Sequence, residues 1–480
     1  MSPLLVALAL GTGEKINLPG SPLGIAWSFL YGANGVPAEK FVPKVRGLGG
    51  GFSKVYLFWA QMEPVKGQFE WAPLDAYVKQ LKSPDEGLVS LFSVSPWATR
   101  RSALALPPSP AKDPKDYYRF VYQMVRHCRG QVRYWENDAE PSNPVYWSGT
   151  KEEFVDELKL FYKAVKDADP KAQVVAGGFD GLFNPPNLPE MPNQRAGLAF
   201  FDYVLKEGRD AFDIFDLRLY ANPYTIVGRV ETMRNKMKAL GYEKPIISAE
   251  YGGPGFFEFA ENRKYASMIV QWSQALATTG SGSGAKGVAD LYAKMNSLAP
   301  HTQMFMQGCS PELQAKFERI QARDLVMRNL LALSAGVQKT LYWDLWNDAT
   351  DRNDLMTLMY GKIMMFGYEG KTLSKKYPVA DVYRRMADKL NGVESVQKID
   401  VPDFPTLQLF EVMRKRKKTL WVAWVQRDTF TGEDSPSLAV SFPISAKKVT
   451  GTDVFGTPVG AAIDKGALRV GLSVTPVFFE

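Results

Sequence analysis

Residues 134–147, YWENDAEPSNPVYW, hold the side chains of this sequence that are best suited to chemistry. Three acids, Glu136, Asp138 and Glu140, lie within five residues of one another, among tryptophans and tyrosines and directly before Pro141. Flat aromatic rings offer a surface on which a ring-shaped ligand can stack. The segment therefore indicates a site where carboxylates act beside aromatic walls.

Glu250 is the second candidate acid. It ends the segment KPIISAEY (244–251), an apolar strand pattern, and is followed closely by Gly252 and Gly253. A carboxylate in such a setting raises the free energy of the fold unless it is paired. Because Glu250 is distant from Glu140 in the sequence, only the fold can bring the two acids together.

The remaining composition leaves acid–base chemistry to carboxylates. The chain of 480 residues has two histidines, His127 and His301, and two cysteines, Cys128 and Cys309. None of them lies in a recognisable nucleophile or metal-binding motif, so we expect no metal and no organic cofactor. The basic residues behind the net charge of +7 are spread along the chain. The one dense run, 414–418, is typical of a solvated hairpin turn, and we expect no nucleic-acid partner.

Short apolar strands alternate with amphipathic helices from about residue 23. This order predicts a parallel α/β architecture. Thr150-x-x-Glu153 is a capping box, and Ser310-Pro311 marks the start of a second helix. Eight strand–helix units predict a (β/α)8 TIM barrel, with candidate strands at 23–29, 53–59, 87–94, 131–137, 172–178, 215–220, 244–251 and 338–345.

The unusual side chains fall where such a barrel builds its site. The carboxyl ends of the strands form the catalytic face, and at or just beyond them lie Trp59, Trp97, Glu140, Tyr220, Glu250 and Trp343. The fourth and seventh strands carry the two acids on opposite sides of the mouth. Two carboxylates in that arrangement are what glycoside hydrolysis requires.

The pattern changes near residue 393, so we divide the chain into an N-terminal extension (1–22), a barrel (23–392) and an antiparallel β-sandwich (393–480). Residues 252–309 are longer than an ordinary loop of a barrel and are either a lid or a decorated surface. The apolar run near the N-terminus lacks a basic region and is too short to cross a bilayer. We expect a soluble protein, cytoplasmic or secreted with its signal removed.

The sequence resembles the clan A glycoside hydrolases, most closely glycoside hydrolase family 39, the β-xylosidase and α-L-iduronidase type. VRYWENDAEPSNPVYWSGTKEEF (132–154) is similar to the segment that carries the general acid/base, which implies Glu140. KPIISAEYGGPG (244–255) is similar to the segment of the nucleophile, which implies Glu250. Three further segments resemble the second, sixth and eighth strands of the clan: FWAQMEPVKGQFEWAPLD (58–75), LRLYANPY (217–224) and TLYWDLW (340–346).

Two positions depart from the pattern of the clan. Ala139 stands where an asparagine typically binds the 2-hydroxyl of the sugar, so Asn137 or Asp138 would have to supply that contact. Arg218 stands near the position of a histidine, which leaves Tyr220 to orient Glu250. The other residues expected to contact substrate are Trp59, Trp97, Tyr224 and Trp343.

The resemblance implies a retaining glycosidase that acts on an oligosaccharide, a polysaccharide or a glycoside. Two alternatives stay open, a carbohydrate-binding barrel without catalysis and a transglycosylase on the same scaffold. We interpret the other acids as structural: Glu136 in a salt bridge that faces a helix, Glu63 in the second-strand motif, and Glu258 on a solvated loop.

Overall fold

The computed structural model describes residues 13–27, 40–104, 106–179, 194–279, 286–346, 351–370 and 372–480. Eight parallel strands form a closed barrel, which confirms the predicted fold class. The first strand pairs with the last, Gly24 opposite Leu341, and this pairing closes the barrel. The strands are β1 Leu23–Ala26, β2 Phe52–Phe58, β3 Glu86–Phe92, β4 Tyr134–Asn137, β5 Gln173–Phe179, β6 Ile214–Leu217, β7 Ile246–Tyr251 and β8 Thr340–Trp343.

Helices surround this barrel, and the helix after Thr150 begins at its predicted capping box. Thr150 Oγ1 accepts a hydrogen bond from Glu153 N at 3.2 Å, and the Glu153 carboxylate accepts one from Thr150 N at 2.9 Å. The helices in the described ranges are α1 Phe41–Gly47, α2 Trp59–Met62, α3 Ala72–Val78, α4 Pro114–His127, α5 Lys151–Ala168, α6 Gln194–Glu207, α7 Ile226–Ala239, α8 Ser267–Thr279, α9 Lys286–Ala293, α10 Pro300–Gln303, α11 Pro311–Ser334, α12 Leu355–Tyr360 and α13 Pro378–Leu390.

The long segment 252–309 is largely helical where it is described. It contains α8, α9 and α10, and the rings of Phe256 and Phe305 pack edge to face at 5.3 Å. Trp272 Nε1 donates to Asp354 Oδ1 at 3.0 Å, which ties α8 to the start of α12. Most of the glycine- and serine-rich run at 278–287 lies outside the described residues.

Antiparallel strands follow the barrel. They form a hairpin, β9 Phe366–Glu369 with β10 Thr372–Lys376, and two sheets. The larger sheet has the order Glu14–Lys15, β11 Val393–Ile399, β12 Leu407–Arg414, β13 Leu420–Val425, β19 Val477–Phe479, β15 Gly451–Asp453 and β16 Pro458–Val459. The smaller has the order β14 Leu438–Pro443, β18 Ala467–Leu472 and β17 Ala461–Asp464. The basic run at 414–418 joins β12 to β13 as the predicted hairpin turn.

Two layers of side chains fill the inside of the barrel. The apolar layer, near the amino ends of the strands, consists of Phe52, Leu88, Tyr134, Val175, Ile214, Ile247, Ala249 and Leu341, all fully buried. Because side chains of a strand alternate between its faces, the residue two positions further along also points inward. Three of those next positions hold charges, Lys54, Glu136 and Asp216, all fully buried.

Candidate active site

Glu250 lies on β7 at the centre of a set of hydrogen-bond donors. Its Oε1 is 2.7 Å from Nη1 of Arg218 and 3.3 Å from Nζ of Lys54, and it also accepts a short hydrogen bond from Tyr56. Tyr220 donates to Oε2 at 3.1 Å. Burial raises the pKa of both tyrosines well above the ordinary range, so they keep their protons and donate them. Four side-chain donors thus converge on the one carboxyl group of Glu250.

Glu140 follows β4 with its backbone in the left-handed region, at a φ of 51°. A residue other than glycine adopts this conformation only when the surrounding structure holds it there. The half-buried side chain of Glu140 places Oε1 3.7 Å from Nε of Arg218. The guanidinium of Arg218 therefore contacts both candidate catalytic carboxylates.

Glu250 belongs to a group of side chains inside the barrel that we term the charged layer: Lys54, Glu136, Asp216, Arg218 and Glu250. Lys54 Nζ is 2.6 Å from Glu136 Oε2, and Arg218 Nη2 is 3.4 Å from Glu136 Oε1. Burial alone would raise the pKa of Glu136, yet these two cations lower it to about 2. The prediction that Glu136 faces a helix is wrong, since its salt bridges lie inside the barrel.

Two buried arginines hold the segment that carries Arg218 and Tyr220. Arg229 of α7 donates to the carbonyl oxygen of Tyr220 at 2.7 Å and to that of Arg218. Arg328 of α11 donates to the carbonyl oxygen of Leu219 at 2.8 Å. Three consecutive carbonyl groups are thus satisfied from the helices behind β6, which fixes the direction of Arg218 and Tyr220, two of the four side chains that contact Glu250.

Comparisons with known proteins agree with this architecture. No protein-family model matches the sequence, and no curated protein sequence matches it. Among solved structures, a family 39 glycoside hydrolase from Bacteroides cellulosilyticus WH2 aligns with a TM-score of 0.60 and 15% identity over 95% of this chain and 80% of its own. A family 39 β-xylosidase from Caulobacter crescentus aligns with a TM-score of 0.55 and 11% identity over 98% of each chain.

The chain has the fold of the family 39 glycoside hydrolases. A family 51 α-L-arabinofuranosidase from Bifidobacterium longum shares this fold as well, with a TM-score of 0.56 and 10% identity over 97% of this chain and 98% of its own. The resemblance read from the sequence is therefore confirmed at the level of the fold.

Aromatic side chains border the site in this family 39 fold. Trp343 and Tyr220 both pack against the ring of Tyr360, at centroid distances of 5.4 and 5.6 Å. Burial, together with the nearby charges of Glu140 and Glu250, raises the pKa of Tyr146 well above its ordinary range. These four rings form a wall beside the two acids.

A second wall is apolar and includes the position where clan A has its asparagine. Ala139 is buried in a cluster with Tyr56, Phe92 and Val94, and Tyr146 packs against it. The cluster gives residue 139 an apolar environment, which suits alanine and would penalise an unpaired amide.

Neither expected substitute for that asparagine reaches the mouth. Asn137 is fully buried, and alternation directs it away from the barrel interior that Glu136 faces. Asp138 accepts hydrogen bonds from Ser93, at 2.8 Å from the backbone nitrogen and 2.9 Å from Oγ. Burial and the neighbouring Glu157 raise the pKa of Asp138 well above its ordinary range. The predicted sugar contacts of Asn137 and Asp138 are therefore wrong for this structure.

The two tryptophans that follow β2 and β3 pack into a core cluster. Trp59 is fully buried, stacks on Phe120 at 4.7 Å and donates from Nε1 to Glu63 at 2.9 Å. The prediction that Trp59 contacts substrate is wrong, because no face of its ring is exposed. Trp97 donates to the carbonyl oxygen of Glu63 at 2.9 Å and packs edge to face on Trp59 at 5.6 Å. Glu63 has the structural role that the sequence predicted for it.

Two further predictions are corrected by contacts outside the mouth. The hydroxyl of Tyr224 accepts a hydrogen bond from Nε1 of Trp424 at 2.9 Å, so this residue joins the barrel to the C-terminal sheet instead of contacting substrate. The side chain of Glu258 is buried rather than solvated, and Oε1 lies 2.6 Å from Nη2 of Arg328.

Sequence reasoning missed Lys54, Tyr56 and Asp216. The signal was present: Lys54 and Tyr56 are two residues apart in an otherwise apolar strand, and Asp216, Arg218 and Tyr220 repeat that spacing. Residues two apart on a strand point to the same face, so charged side chains at this spacing on neighbouring strands of a closed barrel can lie together in its interior.

Across the described ranges, no group of three or more histidine, cysteine, aspartate and glutamate side chains is arranged to hold a metal ion. None of the helices in those ranges combines the length and the apolar character that crossing a membrane requires.

Proposed function

We propose that this protein is a retaining glycoside hydrolase with Glu250 as the nucleophile and Glu140 as the general acid/base. The observation that carries the proposal is the contact of one guanidinium, that of Arg218, with both carboxylates, at 2.7 and 3.7 Å. Retaining enzymes need their two carboxyl groups only about 5–5.5 Å apart, which a shared arginine favours.

The surroundings of the two acids differ in the sense that this mechanism needs. The carboxyl group of Glu250 is held in place by four donors, which suits it to attack the anomeric carbon. Glu140 lies half-buried at the mouth, where it can protonate the departing glycosidic oxygen. Water enters after the aglycone leaves and attacks the anomeric carbon of the glycosyl–enzyme. Glu140 removes a proton from this water, and the bond between the sugar and Glu250 breaks.

The substrate is an oligosaccharide, a polysaccharide or a glycoside. The wall of Trp343, Tyr360, Tyr220 and Tyr146 is a surface on which a sugar ring can stack. The solved relatives in fold are described as a β-xylosidase, a glucosidase and an α-L-arabinofuranosidase, and these sugars define the first substrates to test.

The first experiment is a screen of aryl glycosides that compares the wild type with Glu250→Ala. We expect the variant to lose turnover by about a thousandfold or more, because no other group can form the glycosyl–enzyme. Glu261→Ala is the matched control, since Glu261 is exposed and lies on the same segment beyond β7. Azide should restore turnover to Glu250→Ala as a glycosyl azide of inverted configuration and to Glu140→Ala as one of retained configuration.

A non-catalytic sugar-binding barrel is the second candidate, and the apolar setting of Ala139 favours it. It predicts that a glycan binds to the wild type and to Glu250→Ala with equal affinity and that neither turns it over. Full activity in Glu250→Ala would contradict the proposed nucleophile. A transglycosylase would be recognised by products in which an added sugar acceptor outcompetes water.

A further inference from the structure

Asp216 and Glu136 are two buried carboxyl groups that the mechanism above does not use. Both are fully buried inside the barrel and lie against the guanidinium of Arg218, Glu136 Oε1 at 3.4 Å from Nη2 and Asp216 Oδ2 at 3.3 Å from Nη1. If both were ionised, they would share the single positive charge of Arg218.

The charge balance of the charged layer calls for a proton on one of its carboxyl groups. The layer contains two cations, Lys54 and Arg218, and three carboxylates, those of Glu136, Asp216 and Glu250. With all three carboxylates ionised, the buried layer would carry an uncompensated negative charge. A proton on one of them makes it neutral, and a neutral buried cluster is far less costly than a charged one.

The contacts favour Asp216 as the residue that holds the proton. Glu136 lies between both cations, 2.6 Å from Lys54 and 3.4 Å from Arg218. Asp216 lies 3.3 Å from Arg218, and its Oδ1 accepts from the backbone nitrogen of Ala249 at 2.7 Å. In agreement, burial raises the pKa of Asp216 to about 8, against the lowering action of Arg218.

We propose that Asp216 is a positioning residue that acts in its neutral acid form, with its proton shared with Glu136, so that Arg218 stays directed at Glu250. The proposal rests on the proposed function for its catalytic consequence. The same nitrogen, Nη1 of Arg218, lies 2.7 Å from Glu250 and 3.3 Å from Asp216. When Asp216 loses its proton, its negative charge competes with Glu250 for that nitrogen. The interaction between Arg218 and the nucleophile is then weaker.

The charged groups facing Asp216 are Lys54 from β2, Glu136 from β4 and Arg218 directly after β6, with Glu250 of β7 across the guanidinium. They set the direction of the pH effect. The pKa of Asp216 in the folded protein lies above that of an ordinary aspartate, so the folded state holds a proton that the unfolded chain has released. Activity should therefore be present at acidic and neutral pH and fall as the pH rises through about 8.

The test is the isosteric variant Asp216→Asn in the full-length protein. An amide replaces a neutral acid with similar hydrogen-bonding capacity, so we expect kcat/KM within about threefold of the wild type near pH 6. The alkaline decline near pH 8 that Asp216 causes in the wild type should be absent from the variant. Glu136→Gln removes the group that accepts the proton of Asp216 and also removes a negative charge beside it. Lys54 and Arg218 then favour the ionised form of Asp216, so the decline in activity should move to lower pH.

A spectroscopic readout makes the test independent of turnover. The carbonyl stretch of a protonated carboxyl should appear in the infrared spectrum of the wild type, disappear as the pH rises through about 8, and be missing in Asp216→Asn. Burial also raises the pKa of Glu258 to about 8, so only the difference between wild type and variant is assigned. Asp213→Asn is the control, because Asp213 directly precedes β6 and pairs with Lys166 at 2.7 Å outside the charged layer.

Each outcome decides the proposal. A folded Asp216→Asn that is inactive near pH 6 beside an active wild type would overturn it, as would identical infrared titrations. If the wild type cleaves no glycoside but the acid band titrates as described, the neutral carboxyl of Asp216 stands and the proposed function fails.

Discussion

The apolar layer and the charged layer are neighbours inside the barrel, and one is built of hydrophobic side chains while the other is built of charged ones. Three strands of the barrel show the change directly, from Phe52 to Lys54, from Tyr134 to Glu136 and from Ile214 to Asp216. Both layers are fully buried, so burial alone does not decide whether a position is apolar. The carboxyl ends of the strands hold the charges because the site is built there.

The two layers also differ in what they contribute to the free energy of folding. Apolar side chains stabilise the fold by roughly 1.5–3 kcal/mol each when they are buried. A buried salt-bridge network contributes little net stability, because desolvation offsets the attraction between its charges. Breaking such a network is nevertheless strongly destabilising, since it leaves charges in the interior without partners. The charged layer is therefore better explained by the direction it gives to Glu250 than by stability.

Replacing Arg218 with methionine should have the largest effect. The change leaves Glu136 and Glu250 with Lys54 as their remaining cation in the charged layer and removes the contact of Arg218 with Glu140. We expect unfolding to become easier by about 3–5 kcal/mol, and turnover to be lost even in the folded fraction. Denaturant titration and activity per folded molecule measure the two effects separately.

The control for Arg218→Met is Lys163→Met, which removes a cation from an exposed pair with Asp167. It should change neither stability nor turnover measurably. An Arg218→Met protein with wild-type stability would show that the charged layer does not depend on its arginine, and the comparison between the layers would fail.

Leu88→Ala should separate stability from catalysis. Leu88 is fully buried in the apolar layer, so its truncation removes apolar contacts and leaves a cavity. We expect a loss of about 2–5 kcal/mol, with unchanged pH dependence and unchanged turnover per folded molecule. The measurements are those used for Arg218→Met. A shifted pH profile in Leu88→Ala would mean that the apolar layer also directs the charges above it.

The barrel was predictable because its evidence is distributed along the whole chain. Each strand is a short apolar run and each helix has its own period and cap, as at Thr150, so errors at single boundaries do not change the architecture. The candidate acids Glu140 and Glu250 were identified because their motifs are local. The structure brings both of them to Arg218.

The remaining contacts depend on side-chain direction, which the sequence specifies only once the strand register is known. Asn137 and Glu136 are neighbours in the sequence, yet alternation directs them to opposite faces of β4. Trp59 follows a strand end, as a subsite residue would, but α2 begins there and turns its ring into the core. Tyr224 was misassigned because its partner, Trp424, lies 200 residues further along the chain.

Ser90→Ala should have the smallest effect and sharpens the boundary between the layers. Ser90 lies two residues beyond Leu88 on β3, is fully buried, and its Oγ has no hydrogen-bond partner among the described residues. A buried hydroxyl without a partner gains nothing from its polarity, so alanine should leave stability unchanged or raise it by up to about 1 kcal/mol. Denaturant titration beside the wild type measures this difference. A loss of stability in Ser90→Ala, or a shift of its pH profile, would contradict this expectation. It would show that the hydroxyl interacts with the charged layer through a bound water, so that on β3 the charged layer begins directly after Leu88.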